Sequence, residues 1–278
     1  MDWDILSSFL FGIVSGVAEF LPISAHAHQS LFLSVTGLPL DGLYFMRVFA
    51  HNGALFAVLS AVKPQLDRFR REKKWMTMPA NRRRRQSNRG TLLEYKFFQI
   101  ALLFLLISFI PIFLIRSENF PIWGICICLV INGIFLYIPQ FVPGANKEVA
   151  SLSIADNCLF GLFSMLGRLP GISGFGAAAS ILKTRGSTWK YAVEMSLLLC
   201  VPAMIASAIM DIYLIVSHGV PSTVPYLLLG LICGFGTFVS GFFSIHGIRF
   251  LAVKTGISGF SYYCWGIALF TYLIYLVF

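Results

Sequence analysis

Long apolar runs alternate along this chain with short polar interruptions, and the interruptions carry most of its information. Six runs, at 42–62, 97–115, 120–138, 191–216, 225–246 and 259–278, reach the roughly 17–25 residues that a helix needs to cross a bilayer. Pro111, Pro202, Gly234 and Gly236 fall inside them, which is tolerable where neighbouring helices satisfy the freed backbone groups. Two further apolar stretches, 1–40 and 151–182, are broken by Pro, Gly, Ser and a charged residue. At an offset of 149 positions, Phe11-Gly12-Ile13-Val14-Ser15 aligns with Phe160-Gly161-Leu162-Phe163-Ser164. The same offset brings Leu21-Pro22-Ile23-Ser24 onto Pro170-Gly171-Ile172-Ser173, with Glu19 and Arg168 in equivalent positions. Paired broken segments in corresponding halves point to a substrate site near the bilayer midplane.

Composition agrees with a membrane protein: 57% of the 278 residues are hydrophobic, 12% are charged, and mean hydropathy is +0.79. Asp2 and Asp4 occupy the place of a basic n-region, so the start does not read as a cleaved signal peptide. The six cysteines lie mostly inside apolar runs and read as free buried thiols, and Cys126-Ile-Cys128 lacks metal-site spacing.

Charge placement then sets topology. Twelve of the 21 Lys and Arg fall between Lys63 and Lys96, including Arg82-Arg83-Arg84-Arg85. The positive-inside bias puts that loop in the cytoplasm, where it is expected to be solvated, flexible and in contact with anionic headgroups. No recognition fold accompanies it, so a nucleic-acid partner is not expected. If the six runs cross and the broken segments do not, Lys147, Lys183, Arg185, Lys190, Arg249 and Lys254 join it. Eighteen of 21 basic residues are then inside, Arg116 is outside, and Arg47 and Arg168 sit within or beside the membrane. The sequence therefore predicts an all-α integral membrane protein built as an inverted-topology repeat. Each half is one re-entrant helical hairpin (1–40, 151–182) followed by three transmembrane helices. The repeats are 1–138 and 151–278, and the hairpins dip in from opposite faces with their broken tips meeting in a polar cavity.

The polar residues of the first half concentrate between Ser15 and Asn52: Glu19, Ser24, His26, His28, Gln29, Arg47 and His51. The second half adds Arg168, Ser173 and Glu194. Ionisable residues inside a membrane are costly and default to a functional reading. A salt bridge between Glu19 and Arg168 across the pseudo-axis is one reading. The other is an anion site, because Gly- and Ser-rich tips that open a helix present backbone N–H groups to anionic oxygens. Pro170-Gly171-Ile172-Ser173-Gly174-Phe175-Gly176 has that composition, although close helix packing also selects Gly and Ser. His26 and His28 at i, i+2 do not share a helix face, yet in a non-helical tip both could point inward. A metal set of Glu19, His26, His28 and His51 stays open beside an ordinary polar cluster.

Gly16-Val17-Ala18-Glu19-Phe20-Leu21-Pro22-Ile23-Ser24, with His28 four residues on, resembles the first signature of the bacitracin-resistance family of undecaprenyl-diphosphate phosphatases. Pro170-Gly171-Ile172-Ser173 resembles the second, and His51–Val58 and Glu194–Pro202 resemble the helices that follow each signature. The resemblance implies the inverted-repeat fold and removal of the terminal phosphate from undecaprenyl diphosphate in the bacterial inner membrane, which recycles the carrier lipid of cell-wall synthesis. It implies a catalytic set of Glu19, Ser24, His28 and Ser173, with a divalent metal (Mg or Ca) held in part by Glu19. Expected partners are an anionic polyprenyl phosphate or diphosphate lipid, membrane lipids and, for assembly, a homodimer.

Several family positions depart. The first acidic residue falls on Ser15, the second serine on Ala25, Thr-Gly on His26-Ala27, and Arg-Ser on Gly174-Phe175. A further acidic position falls on Arg47. Phosphoryl transfer depends on positioned cations, so Arg168 and Arg47 become the expected phosphate-binding cations, with Gly171, Gly174, His26 and His51 beside them. The missing acid puts the metal in doubt. Hydrolysis, carriage or flipping of an anionic lipid or solute on the same fold, and a binding role without turnover are the three functions left open.

Overall fold

The computed structural model describes residues 3–40, 42–79, 89–112, 120–142, 152–218 and 224–277, which form helices and short turns and no strand. The helices are α1 (Ile5–Phe20), α2 (Ala25–Thr36), α3 (Leu43–Thr77), α4 (Arg89–Ile112), α5 (Ile122–Tyr137), α6 (Ile154–Met165), α7 (Gly174–Thr184), α8 (Trp189–His218), α9 (Val224–Lys254) and α10 (Phe260–Val277). Five helical stretches are long and apolar enough to cross a membrane: Leu43–Thr77, Gly90–Ile107, Ile122–Phe141, Trp189–Ser217 and Tyr226–Lys254. The chain is an all-helical, multi-pass membrane protein. Its sixth apolar run, 259–278, forms α10, which packs along α5.

Both broken stretches fold as helix, break, helix, and local chemistry explains each break. Asp4 and Ser7 form a capping box that starts α1. That helix stops before Pro22, and Ser24 caps α2. In the second stretch Ser153 and Asp156 form the same box at the start of α6. A single 3₁₀ turn, Leu166–Arg168, follows, then Pro170, and Ser173 caps α7. The Asp156 carboxylate also accepts from the Arg185 guanidinium, which ties the two ends of this second hairpin together.

The helices run past the apolar windows. α3 continues from the expected 42–62 run to Thr77, carrying Pro64 inside it. Residues 63–77 are therefore helical, which corrects the expectation of a flexible loop over 63–96. Gln, Arg, Glu and Lys are good helix formers, and a helix leaving the bilayer needs only solvated side chains to continue. Residues 89–96 begin α4 in the same way. Arg82–Arg85, Arg116 and Lys147 lie outside the described residues.

Packing pairs the elements in a regular way. α1 lies against α9 while α6 lies against α4, α3 packs on α8, α5 packs on α10, and each hairpin packs on itself. The α1–α9 and α3–α9 contacts are backbone-close. A Cβ on Gly12 would collide with the Cys233 carbonyl, and one on Gly53 with the Gly234 carbonyl, which is how small residues set helix separation in membranes. Thr237 Oγ1 adds a hydrogen bond to the Gly12 carbonyl at 3.0 Å. At one end, Arg249 of α9 donates to Glu194 of α8 (2.8 Å) and to the Ala61 carbonyl of α3 (3.1 Å), and Gln65 donates to Glu194 at 2.9 Å. All six cysteines are free.

Gly12→Val overpacks the α1–α9 contact and is expected to cost about 1–3 kcal/mol, read as a lower unfolding temperature in detergent. Gly247→Ala, inside α9 where a Cβ meets open space, should hold or slightly raise that temperature.

Candidate functional site in a buried polar cavity

The tips of the two hairpins meet inside the protein. Asn132 of α5 joins them: its Nδ2 donates to the Pro22 carbonyl at 2.9 Å and its Oδ1 accepts from the Ser173 N–H at 2.9 Å. Across the same contact Ser24 Oγ accepts from the Gly171 N–H at 3.0 Å, besides capping Ala27 N at 3.4 Å. Ser24 holds φ 72°, the left-handed region where a non-glycine residue is strained. The tip contact holds it there. Gly171, at φ +108°, could not carry a Cβ without striking the Cys128 side chain and the Ile125 carbonyl. Ser24 and Gly171 thus form the joint between the hairpins, and neither lines the cavity beside it.

That cavity measures about 70 Å³ and is lined by Glu19, His26, His51, Arg168, Ser173, Gly174 and the start of α7, among others. It is roomy and polar enough to hold several waters, and so a phosphoryl group. Glu19 comes from the last turn of α1, His26 from the first turn of α2, and His51 from α3. Arg168 comes from the 3₁₀ turn after α6. Four elements therefore converge, and Glu19 and Arg168 share one chamber. Arg168 Nη1 donates to Ser207 of α8 at 3.2 Å. Ser173 Oγ is occupied by the Gly176 N–H at 3.1 Å, and the α7 N-terminus opens on the cavity at Gly174 and Phe175.

Position 174 explains how Arg168 arrives. A Cβ on Gly174 would strike the Ser164 carbonyl, and one on Gly167 would strike the Gly174 backbone. The α6 turn therefore folds directly onto the start of α7. This contact delivers the Arg168 side chain to the cavity and leaves no room for an arginine at 174.

The other expected residues divide. His26 and His28 are both in α2, which is helical from Ala25, so they face different sides. His26 lines the cavity. His28 stacks on Tyr263 of α10, with Nε2 2.7 Å from the Tyr263 hydroxyl and Nδ1 2.9 Å from the Ser24 carbonyl. Arg47 is buried below the cavity, its Nε donating to Gln29 Oε1 at 3.0 Å, while Gln29 Nε2 donates to Ser15 Oγ at 3.1 Å. Ser15 and Arg47 are thus linked through Gln29 into one hydrogen-bonded chain. Glu194 serves the Arg249 network at the far end of α8.

Sequence reasoning missed two residues. Asp211 of α8 accepts from or pairs with His51 Nδ1 at 2.7 Å, both side chains being about 5% exposed. Asn132 is the bridge already described. Each is a strongly polar side chain deep inside an apolar run, the signal that marks intramembrane function, and a hydropathy pattern absorbs it into its span.

The donor set does not suit the divalent metal that the resemblance implies. Among the described residues no group of three or more His, Cys, Asp and Glu could hold an ion. Glu19 is the cavity-lining carboxylate, and the Arg168 guanidinium shares its chamber. Hard cations take several oxygen ligands, and the positions where the resemblance implies further acids carry Ser15 and Arg47.

Fold and site define a polytopic membrane protein whose polar chamber is built by two broken helical hairpins. The chain belongs to the bacitracin resistance protein BacA family, whose model matches residues 8–270. It is 26% identical over 267 residues to an undecaprenyl-diphosphatase of Alkaliphilus metalliredigens, covering 93% of this chain and 94% of the relative. It is 23% identical to an undecaprenyl-diphosphatase of Methanobrevibacter smithii, covering 97% of each. A third undecaprenyl-diphosphatase, from Halothermothrix orenii, is 24% identical and covers 94% of this chain and 95% of the relative.

Replacing Asn132 by Leu leaves the Ser173 N–H without its acceptor, at about 1–3 kcal/mol, and leaves the Pro22 carbonyl only the weak Cys264 Sγ donor at 3.6 Å. The expected result is a lower unfolding temperature in detergent together with loss of any ligand binding in the cavity.

Proposed function

We propose that this protein removes the terminal phosphate of a polyprenyl diphosphate carrier lipid, undecaprenyl diphosphate being the first candidate, within the bacterial inner membrane. The observation that carries this reading is the convergence of Glu19, His26, His51, Arg168 and the α7 N-terminus on one buried cavity, in a chain of this family. The terminal phosphate binds between the Arg168 guanidinium and the N–H groups that open α7 at Gly174 and Phe175. Both become more effective as charge builds on the transferred group, because a preorganised donor in a dry site stabilises developing charge strongly. Glu19 lines the same cavity from α1. Arg47 acts from below, holding Gln29 and, through it, the start of α2. The cation role that a metal has in the family falls here to Arg168.

The proposed setting is an inverted repeat of six crossings, with α1–α2 matching α6–α7, and α3, α4 and α5 matching α8, α9 and α10. The packing pattern supports it. Exchanging the halves turns the α1–α9 contact into the α6–α4 contact, and maps α3–α8 and α5–α10 onto themselves. In this arrangement α10 is the sixth crossing, the hairpins enter from opposite faces, and residues 63–96 lie in the cytoplasm.

Two experiments test the proposal. Single cysteines at Lys74, Lys183 and Lys254, in a background without the native cysteines, should label from the cytoplasmic side, and one at Val35 from the other. Labelling of positions 74 and 183 from opposite sides overturns the topology. Purified protein given undecaprenyl diphosphate should release phosphate, and Arg168→Ala should lower kcat/KM by about 10²-fold or more, as for loss of a transition-state cation. Lipid binding without phosphate release overturns hydrolysis in favour of carriage.

A further inference from the structure

We propose that His51, held by Asp211, is the general base of the reaction, and that His28 takes no part in the chemistry. This rests on the hydrolase reading above and deepens it.

The argument starts from the ring nitrogens. An ionised carboxylate only accepts hydrogen bonds, so at 2.7 Å from Asp211 Oδ2 the His51 Nδ1 carries the proton. In the tautomer this contact selects, the Nε2 lone pair is the one left for a substrate proton; Nε2 has no hydrogen-bond partner among the described residues, and the residue lines the cavity. A buried carboxylate that fixes the tautomer and stabilises the imidazolium formed on proton uptake is the arrangement a histidine base requires. The cavity also supplies the neighbours. Glu19 of α1, His26 of α2 (ring centroids 6.5 Å apart) and Arg168 face His51, with Asp211 behind it on α8 and Arg47 one turn earlier on α3. His28 has the opposite situation. Both of its nitrogens are committed, to the Ser24 carbonyl and the Tyr263 hydroxyl, and its ring stacks on Tyr263 away from the cavity.

In the reaction, His51 Nε2 takes a proton from a water whose oxygen forms a bond to the terminal phosphorus. The bond from that phosphorus to the bridging oxygen breaks, and the electron pair leaves with the polyprenyl monophosphate. The proton on His51 then passes to the released phosphate. Asp211 touches no substrate; it is a positioning residue.

The test is steady-state phosphate release from undecaprenyl diphosphate by the full chain in detergent, with unfolding temperatures measured alongside. His51→Gln should lower kcat by about 10²–10⁴-fold, the usual worth of a general base, with KM within about threefold of wild type. Asp211→Asn keeps the shape and leaves the wrong tautomer, so kcat should fall at least tenfold with KM and unfolding temperature unchanged. His28→Gln should keep kcat within about threefold. If His51→Gln proves unstable, His51→Gly with added imidazole substitutes: recovered turnover supports the base role, and none overturns it. Full activity in Asp211→Asn, loss confined to KM in His51→Gln, or a His28→Gln defect as large as that of His51→Gln each overturns the assignment while leaving hydrolysis standing. A wild-type protein that releases no phosphate removes the hydrolase reading and the base role together.

Discussion

The structure depends on two backbone breaks being forced to face each other inside an apolar protein. A carbonyl at Pro22 and an N–H at Ser173 have left their helices, and buried among packed helices each needs a partner within the protein. Asn132 satisfies both with one side chain, and the bond from the Gly171 N–H to Ser24 closes the joint from the other side. The strained φ of Ser24 is the local cost of that closure. Once the tips are locked, the ends of α1, α2 and α7 and the turn after α6 have nowhere else to point, and a polar cavity between them follows.

Around that joint, the polar residues form a connected set. Gly174 allows the α6 turn to close on α7, and the closure brings Arg168 into the chamber. Ser15 and Arg47 are joined through Gln29, so the charge at 47 is hydrogen-bonded through α2 to α1. His51 pairs with the Asp211 carboxylate, while His28 bonds to Tyr263. Buried charge without such partners is far more costly than paired charge.

The apolar runs and the two matching breaks determined the class of the protein, the number and order of its apolar segments, and where its helical stretches are interrupted. These are properties of periodicity and transfer free energy, which act on each segment by itself and so can be read along the chain. Tertiary structure alone decided which polar residues face the cavity. His26 and His28 are two residues apart, yet the 100° turn per residue of a helix sends one into the chamber and the other to α10. Asp211 and Asn132 lie in spans that hydropathy treats as uniform, and their partners are 160 positions away in one case and 110 and 41 in the other. Such pairings arise from how helices pack, and only the folded arrangement brings their donors and acceptors within reach.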